Sequence, residues 1–367
     1  MSATSQNVAL SASQAQPMPT ALTAGEFMSY IQNPKIVVRE SREYPHIVSV
    51  VLKRAVFYDN LWKTMPLMTR GFFINRDTRQ VVARGYEKFF NFNETEENTL
   101  DALGKRLRFP VSVHIKENGF IGLVGYDAKT DSLVFASKSV LSPEGDFALL
   151  AETSLRNALD KNKKEESLAH LKALLKESNL CLTMEVISPE HDPHIIEYDK
   201  SGVVLLDILH RSPQFVPLDY NETASLGQRL NLPVKKLACT LETPSDLADF
   251  AKANEKSLAK IEGYVLRDAD NQQLKIKSPF YIGWKIARSH VARLALERVN
   301  KNKSLRPLQQ EKLAQYGAGI MAEEIMDFAD WAQRQDTPML SSDIISLRRA
   351  YWEELGHKND VSAVPEP

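Results

Sequence analysis

Short apolar runs separated by turn residues fill the chain up to Trp284, and helical periodicity takes over after it. KIVVRE (35–40), HIVSVVLKRAVFY (46–58), MTRGFFIN (68–75) and RQVVARG (79–85) are rich in Val, Ile and Phe and predict strands. VSVHIKENGFI (111–121) alternates apolar and polar residues, turns at 117–119 and opens further strands that run to Ser137. FALLAETSLRNALDK (147–161) and EESLAHLKALLKES (165–178) repeat apolar residues at three and four and predict two helices. The lysine-rich KNKKEE between them reads as a solvated connection. LCLTMEVI (180–187), HIIEY (194–198) and VVLLDIL (203–209) predict three strands, with turns at 189–193 and 199–202. Thr243-Pro-Ser-Asp246 is a capping-box start to the helix DLADFAKANEKSLAKI. IEGYVLRD (261–268) and QLKIKS (273–278) predict a hairpin-like pair. KIARSHVARLALERVNK, LQQEKLAQYGAGIMAEEIMDFADWAQRQ and SDIISLRRAYWEEL are helical throughout.

The fold class expected from this pattern is α+β. A domain of antiparallel sheets with flanking helices should span 31–284, and a small all-helical C-terminal domain should span 285–356. Residues 1–30, rich in Ser, Ala, Gln and Thr, and residues 357–367 read as disordered or flexible tails.

Charge is nearly balanced, with 46 basic and 47 acidic side chains. That excludes a simple polycation but leaves room for a local basic groove. The two cysteines, Cys181 and Cys239, lie far apart without metal-ligand spacing, so neither a disulfide framework nor a zinc cluster is expected. No apolar run approaches the ~20 residues that span a bilayer. The N-terminal stretch has no basic residue and so lacks a secretory or mitochondrial signature. A cytoplasmic protein is expected, or one of the host cytoplasm if viral.

The chemistry-bearing residues fall in the strand segments. Lys116 ends an alternating run and is followed by a Gly119 turn. A lysine can accept a nucleoside monophosphate only as a neutral amine, yet its free pKa is about 10.4. Lys275 and Lys277 alternate with apolar residues, so a strand puts both on one face. There they would lower the Lys116 pKa and hold the transferred phosphate. Glu262, beside a glycine on the preceding strand, is a candidate metal ligand. Glu185, alone in an apolar strand, needs a partner, and a ribose hydroxyl would supply one. Arg70, Lys88 and Lys138 add cations around the lysine segment. Singly, each of these reads as a surface residue; the ordered set carries the argument.

Taken together, the segments resemble the covalent nucleotidyltransferases, the superfamily of ATP-dependent ligases and RNA capping enzymes, with their ATP-grasp-like ligase domain. KENG resembles the nucleotidyl-lysine motif. ASKSV, LTMEVISP, VVLLDIL, IEGYVL and LKIKS resemble the motifs that follow it, in order. TRGFFIN and VARGYEKFFNFNE resemble the phage-type RNA ligase branch, which includes the ligase domain of fungal tRNA ligases. The resemblance implies that Lys116 becomes adenylylated, that Arg70 and Lys88 contact the triphosphate with Lys138 nearby, and that Phe90 helps form the nucleotide pocket. It implies that Glu185 binds the ribose, that Glu262 engages Mg²⁺ (or Mn²⁺), and that Lys275 and Lys277 contact the phosphate of ATP. Phage members tend to carry Asp where this chain has Asn118; the fungal branch has Asn there. Metal or phosphate contacts assigned to such an Asp do not carry over.

The implied activity is ATP-dependent joining of RNA 5′-phosphate and 3′-hydroxyl ends through lysine–AMP and RNA–adenylate, in RNA or tRNA repair. GTP-dependent capping, protein AMPylation and a non-catalytic RNA-binding module are the alternatives. No Walker P-loop or paired His-x-Thr/Ser motif is present, so end-healing kinase and phosphatase activities are expected from a separate protein. Lys285, Arg288, Arg293, Arg298, Lys301 and Lys303 either contact RNA phosphates or pair with acidic residues of the capping helices. Trp284, Trp331 and Trp352 either stack on bases or pack in a core.

Overall fold

The computed structural model describes residues 19–53, 55–56, 70–160, 162–299 and 308–356. In chain order, α1 (Ala24–Ile31) precedes β1 (Ile36–Glu40), β2 (Ile47–Leu52), β3 (Phe72–Asn75) and β4 (Val81–Arg84). Then come α2 (Leu100–Arg106), β5 (Val111–Lys116), β6 (Phe120–Asp127), β7 (Ser132–Ala136), α3 (Asp146–Ala158) and α4 (Lys164–Glu177). β8 (Leu180–Ile187), β9 (Gly202–His210), α5 (Tyr220–Leu230), β10 (Leu237–Leu241), α6 (Pro244–Glu255), β11 (Gly263–Arg267) and β12 (Gln273–Lys277) follow. After these the described residues hold the helices α7 (Pro279–Val299), α8 (Gln310–Gln315), α9 (Ala322–Arg334), α10 (Thr337–Leu340) and α11 (Ile344–Glu354). The strands form three four-stranded sheets, ordered β1-β2-β3-β4, β7-β6-β8-β9 and β10-β5-β11-β12.

Two compact units result. The first takes its described residues from Met1–Lys88, Ile121–Met184 and Val203–Val234; the second takes its own from Phe89–Phe120, Glu185–Gly202 and Lys235–Pro367. In the first unit the β1–β4 sheet is antiparallel. One of its faces packs Val48, Val50, Phe72 and Ile74 with Leu22 and Tyr30. The other packs Ile47, Phe73 and Val82 with Leu123 and Val134. Burial on both faces explains why β2 is apolar at every position but Ser49 rather than alternating.

In the second unit β5 lies between β10 and β11, and β12 lies outside β11, all antiparallel. The period of two sorts the side chains. Val111, Val113, Leu266, Leu274 and Ile276 face one core with Leu103 and Leu247. The opposite face carries the rows Lys116–Gly263–Lys277 and His114–Val265–Lys275. α7 begins straight after β12, where Ser278 Oγ donates to Ile261 O and accepts from Tyr281 N–H at 3.1 Å. The C-terminal helices bury a cluster containing Trp284, Phe328, Trp331 and Tyr351.

Four expectations change. α1, with a Thr23/Glu26 capping box, occupies part of the expected 1–30 tail, whose first eighteen residues lie outside the described ones. β10 and α5 were not anticipated. HIIEY is not a strand, for a reason given below. The expected boundary near Trp284 falls inside α7, because Trp284 is the fully buried centre of the helical cluster and belongs to the same unit as β12. The tryptophans pack in a core: Trp284 lies edge-on to Phe328 at 4.9 Å and to Trp352 at 5.8 Å. Arg298 bonds the carbonyls of Gln333 and Gln335; Lys301, Lys303 and the expected C-terminal tail lie outside the described residues. Cys181 and Cys239 are free thiols. No helix among the described residues is long and apolar enough to cross a membrane.

Candidate active site

Lys116 is the last residue of β5, and its row continues through Gly263 to Lys277. Gly263 leaves the middle of that row without a side chain. Its φ of +140° and the 2.1 Å separation of a notional Cβ from Ile276 O make glycine a requirement there. The preceding residue, Glu262, fills the gap. Its carboxylate lies 3.1 Å from Lys116 Nζ and 3.5 Å from Lys277 Nζ, and accepts from Asn118 Nδ2 at 2.8 Å. Glu262 is 5% exposed, so this charge is buried but paired twice.

The turn after β5 is fixed with equal detail. Gly119 N–H donates to Glu185 at 2.9 Å, and a Cβ on Gly119 would sit 2.1 Å from Val186 O. Asn118 Oδ1 accepts from the N–H groups of Ile195 and Ile196, at 3.1 and 3.0 Å. Tyr198 OH accepts from Asn118 N–H at 2.8 Å and donates to Glu117 at 2.9 Å. These bonds replace the ladder that HIIEY would have made as a strand. Lys277 Nζ stands 4.4 Å from the centre of the Tyr281 ring, a cation–π contact.

The charges set each other's protonation. For Lys116, burial acts downward, but the Glu262 and Glu185 carboxylates outweigh it and push the pKa up to about 12. Lys277 goes the other way: burial, with Lys285 and Lys116 as like charges, outweighs Glu262 and lowers it to about 8. Burial raises Glu185 to about 7, against the pull of Lys116. For Glu262 burial is overcome by Lys116 and Lys277, and its carboxyl sits below the ordinary range. Lys275 and Lys277 therefore do not depress the Lys116 pKa as their alternation suggests, because the Glu262 carboxylate at 3.1 Å favours the ammonium.

Lys116, Glu185, Glu262 and Lys277 thus converge. Lys275 stands one row along, donating to Phe89 O at 3.2 Å with its ammonium 5.1 Å from the Phe89 ring centre. Phe90 accepts the Lys275 backbone N–H at 3.0 Å, so EKFFNFNE runs beside β12. Arg70, Lys88 and Lys138 belong to the first unit, where Arg70 and Lys138 are exposed and Lys88 is half-buried. Glu185 does have a partner, the Gly119 amide. Tyr198, Tyr281 and the clamping role of Asn118 were missed. An apolar run ending in Tyr carries no signal that its phenol reaches a turn some 80 positions upstream.

The fold of antiparallel sheets and helices is shared with solved ATP-dependent ligases. It superposes on an archaeal ATP-dependent RNA ligase with a TM-score of 0.54 at 14% identity, over 85% of this chain and 78% of that one. Residues 68–286, more than half of the chain, match the model of the RNA ligase family typified by phage T4 RNA ligase 1. The chain belongs to that phage-type RNA ligase family. It is 27% identical to tRNA ligase 1 of Schizosaccharomyces pombe over 230 residues, 59% of this chain and 29% of that protein. It is 26% identical to the tRNA ligase of Candida albicans over 230 residues, 55% of this chain and 27% of that protein. The chain thus spans less than a third of the length of either tRNA ligase.

Proposed function

We propose that this protein is an ATP-dependent RNA ligase that joins an RNA 5′-phosphate to an RNA 3′-hydroxyl through a covalent AMP on Lys116, in RNA or tRNA repair. The observation that carries the reading is the row Lys116–Gly263–Lys277 with Glu262 between the two lysines. A nucleophilic amine, a second cation 4.4 Å from an aromatic ring centre and a shared carboxylate converge there.

In the first step the lone pair of the neutral Lys116 amine forms a bond to the α-phosphorus, the bond from that phosphorus to the pyrophosphate oxygen breaks, and the nitrogen releases one proton to solvent. Lys277 and Lys275 would bind phosphate oxygens and offset the growing charge. In the second step an oxygen of the RNA 5′-phosphate takes the AMP, and the Lys116 amine leaves and regains a proton. In the third the 3′-hydroxyl attacks the activated 5′-phosphorus and AMP leaves. Positioning and charge stabilisation carry transfers of this kind.

A divalent cation, Mg²⁺ or Mn²⁺, would supply charge neutralisation on the triphosphate. Glu262 would hold it, with its carboxylate 3.1 Å from Lys116 Nζ and 3.5 Å from Lys277 Nζ, and Glu185 would bind the ribose. Among the described residues no group of three or more His, Cys, Asp or Glu is set to hold a metal. The remaining ligands would be phosphate oxygens and water, the usual arrangement for Mg²⁺. Once Glu262 turns away from Lys116, Lys277 becomes the dominant neighbour and the amine loses its proton more readily. Phe90 would help form the nucleotide pocket.

The test is sealing of a 5′-phosphate, 3′-hydroxyl RNA with ATP. Ligated product is expected, with RNA–adenylate accumulating when the 3′ end is blocked. Use of GTP alone, or AMP transferred to protein and never to RNA, would replace this reading with the capping or AMPylation alternative.

A further inference from the structure

The segment Ile195–Tyr198 has no ladder of its own, yet each of its residues is tied down. On one side it grips the nucleophile turn, with the N–H groups of Ile195 and Ile196 on Asn118 Oδ1 and the Tyr198 phenol between Asn118 N–H and Glu117. Glu117 O in turn accepts from Lys116 Nζ at 3.1 Å. On the other side it is held by α11. Arg348 donates to Ile195 O at 2.9 Å and reaches Glu197 at 3.7 Å, and Arg349 bonds Glu197 as well. Arg348 is 2% exposed, and its guanidinium sits 5.1 to 5.3 Å from the ring centres of Phe280, Trp284 and Trp352. Ile195 and Ile196 belong to the same apolar cluster as Trp284, Phe328 and Tyr351.

An arginine is costly to bury, and here the Ile195 carbonyl, the Glu197 carboxylate and three aromatic rings offset that cost, two of these partners being residues of the segment itself. Its placement makes sense if the position of that carbonyl matters. We propose that Ile195–Tyr198 is a strap that positions the Lys116 turn, with Tyr198 and Arg348 as positioning residues on its two sides. The C-terminal helices then contribute to nucleotidyl transfer onto Lys116 itself. This rests on Lys116 being the nucleotide acceptor. Tyr198 keeps its proton across the working range, because burial and the nearby Glu117 carboxylate raise the phenol pKa. The strap is therefore not a pH switch.

A single-turnover measurement separates positioning from folding. Damage to folding lowers the fraction of molecules that react, whereas misplacement of the amine lowers the rate constant of those that do. With α-labelled ATP at saturation, Tyr198→Phe should lower the rate constant by about 10- to 100-fold. Its labelled endpoint, melting temperature and KM for ATP should change little. Arg348→Met should act in the same direction, and Arg348→Lys, which can still donate to Ile195 O, should recover part of the rate. Tyr198→Phe and Arg348→Met together should cost less than the product of their separate effects. Asp336→Ala, which removes the side-chain cap that accepts from Met339 N–H at the start of α10, should lower the melting temperature without slowing the reacting molecules. If Arg348→Met does not fold, Tyr198→Phe and Glu197→Gln still decide the matter. Wild-type rate constants in Tyr198→Phe would overturn the strap. Absence of labelling in the wild type would instead overturn the underlying reading of Lys116.

Discussion

Replacing Glu262 with glutamine should make Lys116 a stronger nucleophile in the ligand-free protein. At 3.1 Å the carboxylate favours the ammonium by roughly 5 kcal/mol at an effective dielectric of about 20. Lys116 keeps 22% of its side chain exposed and shares Glu262 with Lys277. Solvent and sharing reduce the usable part to about half, which corresponds to a pKa change of about 2. Glutamine keeps an oxygen for Asn118 Nδ2, so the turn should hold. From a starting value of about 12, the neutral fraction of Lys116 at pH 8 should rise about 100-fold. Trace acetylation with acetic anhydride, read by peptide mass mapping, reports that fraction directly. In the wild type Lys277, at about 8, should acetylate far faster than Lys116. Unchanged Lys116 acetylation at pH 8 in folded Glu262→Gln would refute the argument that this carboxylate sets the nucleophile's charge. ATP-dependent labelling should fall nonetheless, since Glu262 is also the candidate metal ligand.

Further outcomes follow from the same geometry. The Glu185 carboxyl is raised to about 7 in the fold, so the stability it contributes is present at low pH and is lost as pH rises from its unfolded value near 4.5 through 7. Glu185→Gln should raise the melting temperature at pH 8, by the equivalent of about 1–3 kcal/mol, and the gain should vanish below about pH 5 while nucleotide transfer is impaired. Gly263→Ala puts a Cβ 2.1 Å from Ile276 O at a φ of +140°; the variant should lose several kcal/mol in urea titration, about 3 or more, and label poorly. His290 is buried with neither ring nitrogen hydrogen-bonded, and its pKa is lowered by burial and by Arg293, against Asp330. Its folded value lies below its unfolded one, so stability is lost as pH falls below about 6.5, and His290→Leu should flatten that loss in melting curves between pH 7 and pH 5.

Much of the site was legible because its residues sit on strands. Alternation put Lys275 and Lys277 on one face, and the register bears this out, with Lys277 in the row of Lys116. Turn chemistry located Gly119, whose glycine is required by the approach of Val186 O. The protonation of Lys116 was not legible. Counting cations along β12 says nothing of the carboxylate one residue before the gap at Gly263. The strap was misread for a related reason: Ile195 and Ile196 are apolar because they pack on Trp284 and its neighbours, not because they pair in a sheet. Two helices could have been found. Thr23-x-x-Glu26 and Asp219-x-x-Glu222 are capping boxes in the sequence, but polar composition hid the first and the strand-rich surroundings hid the second. β10 is short and half-exposed, without the apolar run that marks the other strands.

The most direct measurement is labelling with ATP carrying a radioactive α-phosphate, in Mg²⁺, after pyrophosphate treatment to strip any AMP already bound, with denaturing gel electrophoresis of the wild type beside Lys116→Ala. A labelled band in the wild type that is missing from Lys116→Ala is the expected result. An unlabelled wild type with both ATP and GTP, or equal labelling of Lys116→Ala, would contradict the assignment of Lys116 as the covalent nucleotide acceptor.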